Sequence, residues 1–463
     1  MNPRAVRVLA RLHRIQPVKV VLIGYLSYLL IGWLLLSLPF AWQSAPVPAI
    51  DNLFVSASAM STTGLSTVNP PQAYSFWGEL IILGLMQVGG LGYMTLGSFV
   101  ILAGAERLSK FRQGVTRVAF TLPNGFQLGK FLGNVVAFTL IVELVGAAAL
   151  YVAFRQAGVG LLAGPGDDIG ASGTGQWFVA WAAIFHSVSA FCTAGFSIFP
   201  DSLEAYRDNL PINFIVSALS LIGALGFIVL SDFFWTLTGS RRRITLTSRI
   251  ILRFSLWILV IGTIALFLCD QSIHELPPSQ RLLTAFFQVM SSMTTVGFNS
   301  HPIGEMSLAS AWLLCVIMLV GASPSGTGGG LKTTSVSALL ATMRSVIKGR
   351  DQITFWGQRV PRARLDTAFA ALGFYVLFIL IGGFGLMLTE AAGEANFEDL
   401  TFEVFSALGT VGISRGITAD LSPLGKLVIT ALMFVGRLGP LTLGLALFSS
   451  DRRPLHGEDD LAV

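Results

Sequence analysis

Charge is scarce in this sequence. Asp, Glu, Lys and Arg make up 12% of its 463 residues, roughly half the share of an ordinary soluble domain, so a normal water-facing surface is excluded. Cysteine is scarcer still. Cys192, Cys269 and Cys315 fall at apolar positions with no metal-ligand spacing and read as small buried hydrophobes. Of the five histidines, His13 and His456 lie near the ends, and His186, His274 and His301 stand alone. No paired Asp motif and no nucleophile beside a base stands out, so a membrane-embedded enzyme, the alternative from another class, finds no constellation to use. The expectation is a protein that is not an enzyme. Cytoplasmic loops between the long apolar runs reach only about twenty residues. That leaves no room for a soluble nucleotide-binding domain, and this chain is expected to bind no nucleotide itself.

What the sequence has instead is oil. Hydrophobic residues make up 53% and mean hydropathy is +0.71, the balance of a polytopic membrane protein. Apolar runs long enough for a bilayer core of about 30 Å lie at 18–38, 75–104, 127–155, 209–239, 246–270, 306–345, 365–392 and 422–449. Eight crossings put both termini on one side. The first run follows Arg4, Arg7, Arg11, Arg14 and Lys19 but lacks a small-residue cleavage site, so it reads as a retained helix.

Alternating the loops between two sides gathers Arg107, Lys110, Arg112, Arg117, Arg241, Arg242, Arg243, Arg344, Lys348, Arg350, Arg359, Arg362, Arg364, Arg452 and Arg453 with the N-terminus. That side is cytoplasmic by the positive-inside rule, and the chain is expected in the cytoplasmic (inner) membrane with both ends inside. The net charge of +5 then needs no nucleic acid partner, because lipid-facing orientation signals account for it. The opposite side holds few basic residues (Arg155, Arg207, Arg281, Arg415, Lys426) and many acids, among them Asp51, Asp167, Asp168, Asp201, Glu204, Glu275, Glu394, Glu398 and Asp399. A cation approaching from outside would meet a negative field.

One pattern recurs four times: 51-DNLFVSASAMSTTGLST-67, 183-AIFHSVSAFCTAGFSIF-199, 285-AFFQVMSSMTTVGFNSH-301 and 400-LTFEVFSALGTVGISRG-416. Aligned on Thr62, Thr193, Thr295 and Thr410, each copy has a glycine two residues on (Gly64, Gly195, Gly297, Gly412). Each also has a Ser four residues before (Ser58, Ser189, Ser291, Ser406) and a Phe eight before (Phe54, Phe185, Phe287, Phe402). Every copy sits between two long apolar runs. About a dozen helical residues span roughly 18 Å, so the short element enters a bilayer without crossing it. Backbone that leaves a helix at membrane depth must be covered by protein or line a watery cavity. Four such elements facing one axis would aim helix C-termini at it, where partial negative charge favours a cation. The Thr-x-Gly segments would then offer carbonyls in place of a hydration shell, with glycine allowing backbone turns that a Cβ forbids. The repeats run in the same direction, which favours a fourfold pore over a carrier built from inverted halves.

These four units, with Thr62-Thr63-Gly64, Thr193-Ala194-Gly195, Thr295-Val296-Gly297 and Thr410-Val411-Gly412, resemble the Trk/Ktr/HKT superfamily of potassium transporters over roughly 18–450. With no extra helix pair before the first repeat, the likeness is to the bacterial KtrB type of membrane subunit more than to the TrkH type. The resemblance implies an all-α pseudo-tetramer resembling a potassium channel, with those twelve residues as ion-binding selectivity filter and potassium as substrate. Its repeats are 1–110, 111–243, 244–358 and 359–463, flanked by a cytoplasmic N-terminal segment and a short cytoplasmic tail. Gly64 argues for potassium, since family members with Ser in the first repeat are associated with sodium preference; sodium or another monovalent cation is the alternative. A homodimer and a cytosolic ring of RCK-type nucleotide-binding regulatory domains are the implied partners. The loops at Arg241–Arg243 and Arg350–Arg364 are candidate docking surfaces.

Two departures stand out. The second run of repeat 3 contains 321-GASPSGTGGGLKTTS-335, whose Pro and glycines break a helix at about 3 and about 1 kcal/mol each. Leu331 spoils the spacing of a phosphate loop, and no strand precedes it. In the resembling family the corresponding break is an intramembrane gate, which makes Gly326, Gly328, Gly329, Gly330 and Lys332 gate candidates. Arg437 is the second departure. It replaces a Gly or Ala in the column set Val88–Gly92, Ile222–Gly226, Val320–Ala322 and Val435–Gly439. At the cost of a buried arginine it is expected to face the axis or bind the loop's carbonyls, and it joins the gate. Glu143 and Asp232 also lie in or at the end of apolar runs, with no role assigned.

Overall fold

A computed structural model describes residues 17–92, 128–159, 175–237, 244–439 and 443–444, apart from 325, 351, 356, 357, 361 and 394. The basic positions at 107–117, 241–243 and 452–453, the acids at 167–168 and both chain ends lie outside the described residues. So do the distal parts of the apolar runs at 75–104 and 422–449.

Within the described residues the regular elements are helices except for a hairpin of β1 (Thr354–Phe355) and β2 (Gln358–Arg359). The principal helices are α1 (Pro17–Leu36), α2 (Ala49–Ser61), α3 (Phe76–Leu91), α4 (Leu128–Gln156), α5 (Gln176–Phe191), α6 (Leu210–Leu225) and α7 (Phe227–Leu237). They continue with α8 (Leu246–Cys269), α9 (Pro278–Thr294), α10 (Leu308–Leu319), α11 (Thr333–Ile347), α12 (Arg362–Thr389), α13 (Phe397–Gly409) and α14 (Pro423–Leu438). Three stretches, Gly133–Gln156, Leu246–Cys269 and Leu365–Thr389, are long and apolar enough to cross a membrane. They turn large side chains outward at helical spacing: Ile141, Leu144 and Val145 on α4, Trp257, Ile264 and Leu268 on α8, Leu380, Phe384 and Leu388 on α12.

The short helices invert that arrangement. On α2, α5, α9 and α13, Ser58, Ser189, Ser291, Ser406, His186, Gln288 and Glu403 are completely buried, as are Phe54, Phe185 and Phe287. Polar groups inside and apolar groups outside is the distribution a hydrocarbon solvent selects. The four short helices have 13, 16, 17 and 13 residues, about 20–26 Å at 1.5 Å per residue, short of a crossing.

Each second helix starts the same way. The side chains of Ser75, Asn209, Ser307 and Ser422 accept the N–H three residues on, at 3.1–3.3 Å, satisfying a donor the first turn leaves open. They also end early, which the runs at 75–104, 209–239 and 422–449 did not lead us to expect. α3, α6 and α14 stop at Gly92, Gly226 and Gly439, with φ of 76°, 83° and 81°. The expected continuous helices are therefore corrected: a glycine in this region of backbone space turns the chain out of the α-helix at no Cβ cost. Repeat 3 breaks as its sequence indicates, after α10 and before α11.

Asp232 has a local task. It accepts from Ser248 Oγ at 2.6 Å and from the hydroxyl and N–H of Thr245, tying α7 to the first turn of α8.

Candidate functional site

The C-terminal ends of α2, α5, α9 and α13 converge, and the threonine just past each helix is strained in the same way. Thr62, Thr193, Thr295 and Thr410 have φ of 52°, 52°, 60° and 51°, four of the five non-glycine positive φ values among the described residues. A β-branched residue rarely adopts this conformation, and such strain concentrates at functional sites. The glycines two residues on have φ of 100°, 65°, 85° and 95°. A Cβ at Gly64 would fall on Ala194 O, at Gly195 on Val296 O, at Gly297 on Val411 O, and at Gly412 on Thr63 O. Each segment faces the carbonyl of the next, and the fourth returns to the first. The twelve residues predicted for a filter are thus brought into one closed ring of backbone carbonyls.

The repeated serine anchors that ring. Thr63, Ala194, Val296 and Val411 donate their N–H groups to the carbonyls of Ser58, Ser189, Ser291 and Ser406 at 2.9, 2.8, 3.1 and 2.9 Å. The backbone carbonyl at one column therefore holds each strained turn against its own helix end.

Against one side of the ring lies the broken segment of repeat 3. Thr62 Oγ1 donates to Thr327 O at 3.5 Å, Thr193 Oγ1 to Thr327 Oγ1 at 3.2 Å, and Gly329 N to Thr410 Oγ1 at 3.1 Å. A Cβ on Gly328 would strike Thr295 Oγ1. The loop is thus seated against all four threonines. Its backbone is fastened to carbonyls in the last turn of α6: Ser323 N to Ala224 O and Thr327 N to Gly223 O, both 3.1 Å. The last carbonyls of a helix have no intrahelical partner, so the break at Gly226 supplies the acceptors that hold the loop. Lys332 Nζ donates to Gly328 O at 2.8 Å and to Gly329 O at 3.4 Å.

Arg437 completes the cluster. Its guanidinium donates to Thr62 Oγ1 at 2.9 Å, to Thr327 O, and to Gly89 O and Gly90 O in the last turn of α3. One side chain therefore joins the ring, the loop and the broken end of the first repeat's second helix. Gly326 and Gly330 belong to the same seat; a Cβ on Gly326 would meet Ala224 O, and Gly330 has φ 71°. Thr327 was missed from sequence because the motif is marked by glycines, and Gly89, Gly90 and Gly223 because their helices read as continuous. Glu143 lies behind this cluster, its Oε1 3.7 Å from Cys192 Sγ, next to the Thr193 turn.

On the other side of the ring, four seams join the repeats with four chemistries. Trp181 Nε1 donates to Glu79 Oε2 at 2.6 Å. Asn299 donates to Glu204, and its N–H to Ser202 Oγ at 3.2 Å. Arg415 pairs with Asp399 at 2.5 Å and reaches the carbonyls of Ile303, Gly304 and Met306. Lys426 pairs with Asp51 at 2.7 Å. Two acids counted toward an attracting outer field, Asp51 and Asp399, are thus neutralised by the scarce cations of that side. Glu204 differs: burial, then the neighbouring Asp201 and Glu305, push its carboxyl up to about 7, against the pull of Asn299 and Arg207.

Comparison with known proteins gives one answer throughout. The family TrkH, cation transport protein, matches residues 31–452. The potassium/sodium uptake protein NtpJ of Enterococcus hirae is 33% identical over 450 residues, 95% of this chain and 94% of that protein. The Ktr system potassium uptake protein B of Bacillus subtilis is 29% identical over 455 residues, 96% of each. The crystal structure of the potassium transporter TrkH from Vibrio parahaemolyticus shares the fold, with TM-score 0.70 over 94% of this chain and 86% of that one at 21% identity.

Proposed function

This chain belongs to the TrkH family of cation transport proteins, and from that premise we propose that it is a potassium uptake protein whose ring of four Thr-x-Gly segments is the selectivity filter. The observation that carries the reading is the closure of the ring, glycine to carbonyl, through all four repeats. Carbonyls presented this way replace the hydration shell of a monovalent cation, and the four helix C-termini add a favourable field. The four sequence repeats form the wall of one pore, in the inner membrane with both termini cytoplasmic.

Gly326, Thr327, Gly328, Gly329, Gly330 and Lys332 obstruct the pathway on the inner side of the ring, and Arg437 is both latch and barrier. Its donors hold Thr327 O and the end of α3, and its positive charge repels the cargo. Movement of the loop opens the path. Regulation comes from a cytosolic ring of RCK-type nucleotide-binding subunits on the basic face of a homodimer.

Uptake of a potassium tracer into vesicles holding the purified full chain, with sodium as competitor, tests the reading. Gly64→Ser puts a side chain at φ 100°, its Cβ 2.6 Å from Ala194 O. The preference for potassium over sodium should fall about tenfold, equivalent to about 1.4 kcal/mol. Unchanged relative permeation would remove the ring from the filter role. Sodium uptake at a rate matching potassium in the parent protein would instead favour the reading suggested by the name of the Enterococcus hirae relative.

A further inference from the structure

The serine of each repeat does the same backbone work but different side-chain work. In repeats 1 and 4, Gly64 N and Gly412 N donate to the hydroxyls of Ser58 and Ser406, both at 3.0 Å. In repeats 2 and 3 the hydroxyl reaches further: Ser189 Oγ donates to Phe196 O at 2.8 Å and Ser291 Oγ to Phe298 O at 2.6 Å. All four serines are completely buried, so water does not compete for these hydroxyls. The split follows the residue after the glycine, which is Leu65 and Ile413 in one pair and Phe196 and Phe298 in the other. Phe298 is fixed across the seam by stacking on His186, with ring centroids 5.9 Å apart. The glycine φ values separate the same way, 100° and 95° against 65° and 85°.

We propose that these serines set the coordination at the outer end of the filter: Ser189 and Ser291 draw the Phe196 and Phe298 carbonyls back toward their own half-helices, and a potassium ion there is held by Leu65 O and Ile413 O. The proposal rests on the ring being the filter. A carbonyl that already accepts a hydroxyl proton has spent part of its lone-pair capacity and is turned toward that donor. Ion binding in such a site depends on the number and field strength of the carbonyls that reach it. Among the described residues no hydroxyl holds Leu65 O or Ile413 O in this way. Since repeats 1 and 4 are neighbours in the ring, the outer site is one-sided: ligands come from one half, and the other half is a wall. A one-sided site binds weakly and releases inward easily.

The test uses the full chain in vesicles and reads half-saturating potassium separately from maximal rate, with rubidium and sodium as competing ions. Ser189→Ala with Ser291→Ala frees two carbonyls, and half-saturating potassium should fall about two- to tenfold, the range expected from one net hydrogen bond's strength. Ser189→Cys with Ser291→Cys fills the space that the alanine pair leaves open but with a poor donor, so it should move the same way even where the alanine pair folds badly. Ser58→Ala with Ser406→Ala removes only the acceptor of the glycine N–H groups, and half-saturating potassium should rise. An unchanged or higher value in the Ser189/Ser291 variants, or an equal shift from both pairs, overturns the proposal. The two levels separate cleanly: no change in selectivity with Gly64→Ser sinks the filter, whereas a change there with silent Ser189/Ser291 variants sinks only the serine assignment.

Discussion

The second helix of repeat 3 and those of the other three repeats start alike and end differently. In repeats 1, 2 and 4 the glycine of the shared column packs on the repeat's own short helix: a Cβ at Gly89, Gly223 or Gly436 would strike Met60 O, Phe191 O or Leu408 O, each two residues before the strained threonine. In repeat 3 the equivalent Gly321 faces Gly329 O and Gly330 of its own loop. Three repeats therefore pack their second helix against the ring, and the third puts its own loop where that contact would be. Under the proposed gating role, helix packing in three repeats is the fixed scaffold and the loop of the third is the part that moves.

The sharpest test of that difference is the same substitution at both sites. Gly89→Ala presses a methyl into the backbone of α2 at Met60 and Ala59, which has nowhere to go, and should cost about 3 kcal/mol. Folded, monodisperse protein should be largely lost in detergent thermal unfolding. Gly321→Ala presses on the loop alone, so the protein should fold and its basal potassium flux should rise. Similar loss of folded protein in both variants would erase the distinction between packed helix and loop.

Next in size is Arg437. Unit charges about 6 Å apart at an effective dielectric of 20 repel by about 2.8 kcal/mol, which caps the gain in flux from losing the charge at about a hundredfold. Arg437→Gln should raise initial potassium uptake toward that limit. Arg437→Lys keeps the charge but loses the planar fork that spans Thr327 O and Gly89 O, and should raise uptake less. Equal rates for all three proteins at matched expression would leave Arg437 a packing residue.

The smallest effect concerns the seam between repeats 2 and 3, where Glu204 stands in place of an ion pair. Its carboxyl is raised to about 7, so the folded state holds the proton that the unfolded chain gives up near the ordinary carboxylate value. That contribution to stability is present at low pH and is lost as pH climbs toward and through 7. Glu204→Gln stays neutral and still accepts from Asn299. The fall in melting temperature between about pH 5 and about pH 8 should shrink by something on the order of 1 °C. Glu204 is only half-buried, which keeps the effect small. A fall as steep as in the parent would place the titration elsewhere.

The four Thr-x-Gly copies were legible in the sequence because the same strained turn needs the same residues each time, and the serine column was visible before its task was known. Its task lies in the fold: the hydroxyls of Ser58 and Ser406 accept the N–H groups of Gly64 and Gly412, and those of Ser189 and Ser291 donate to Phe196 O and Phe298 O. The breaks at Gly92, Gly226 and Gly439 were not legible. A glycine inside an apolar run is compatible with a continuous helix at a cost of about 1 kcal/mol, and neighbours decide whether it bends. Thr327 escaped notice because nothing local marks a hydroxyl that meets Thr193, Phe191 O and Arg437 from three other parts of the chain.

By itself the amino-acid sequence determined that the chain seeks a bilayer, that one unit occurs four times, and that the third unit is interrupted. Hydropathy, periodicity and helix-breaking residues are properties of short stretches, and each acts before any distant contact forms. Only the tertiary structure decided which orphan carbonyls receive the loop and Arg437, which acids are neutralised by Lys426 and Arg415, and which two of four serines turn to Phe196 and Phe298. Those are choices among equivalent partners brought together from residues far apart in the chain, and the lowest-energy pairing exists only once all four repeats have closed on one another.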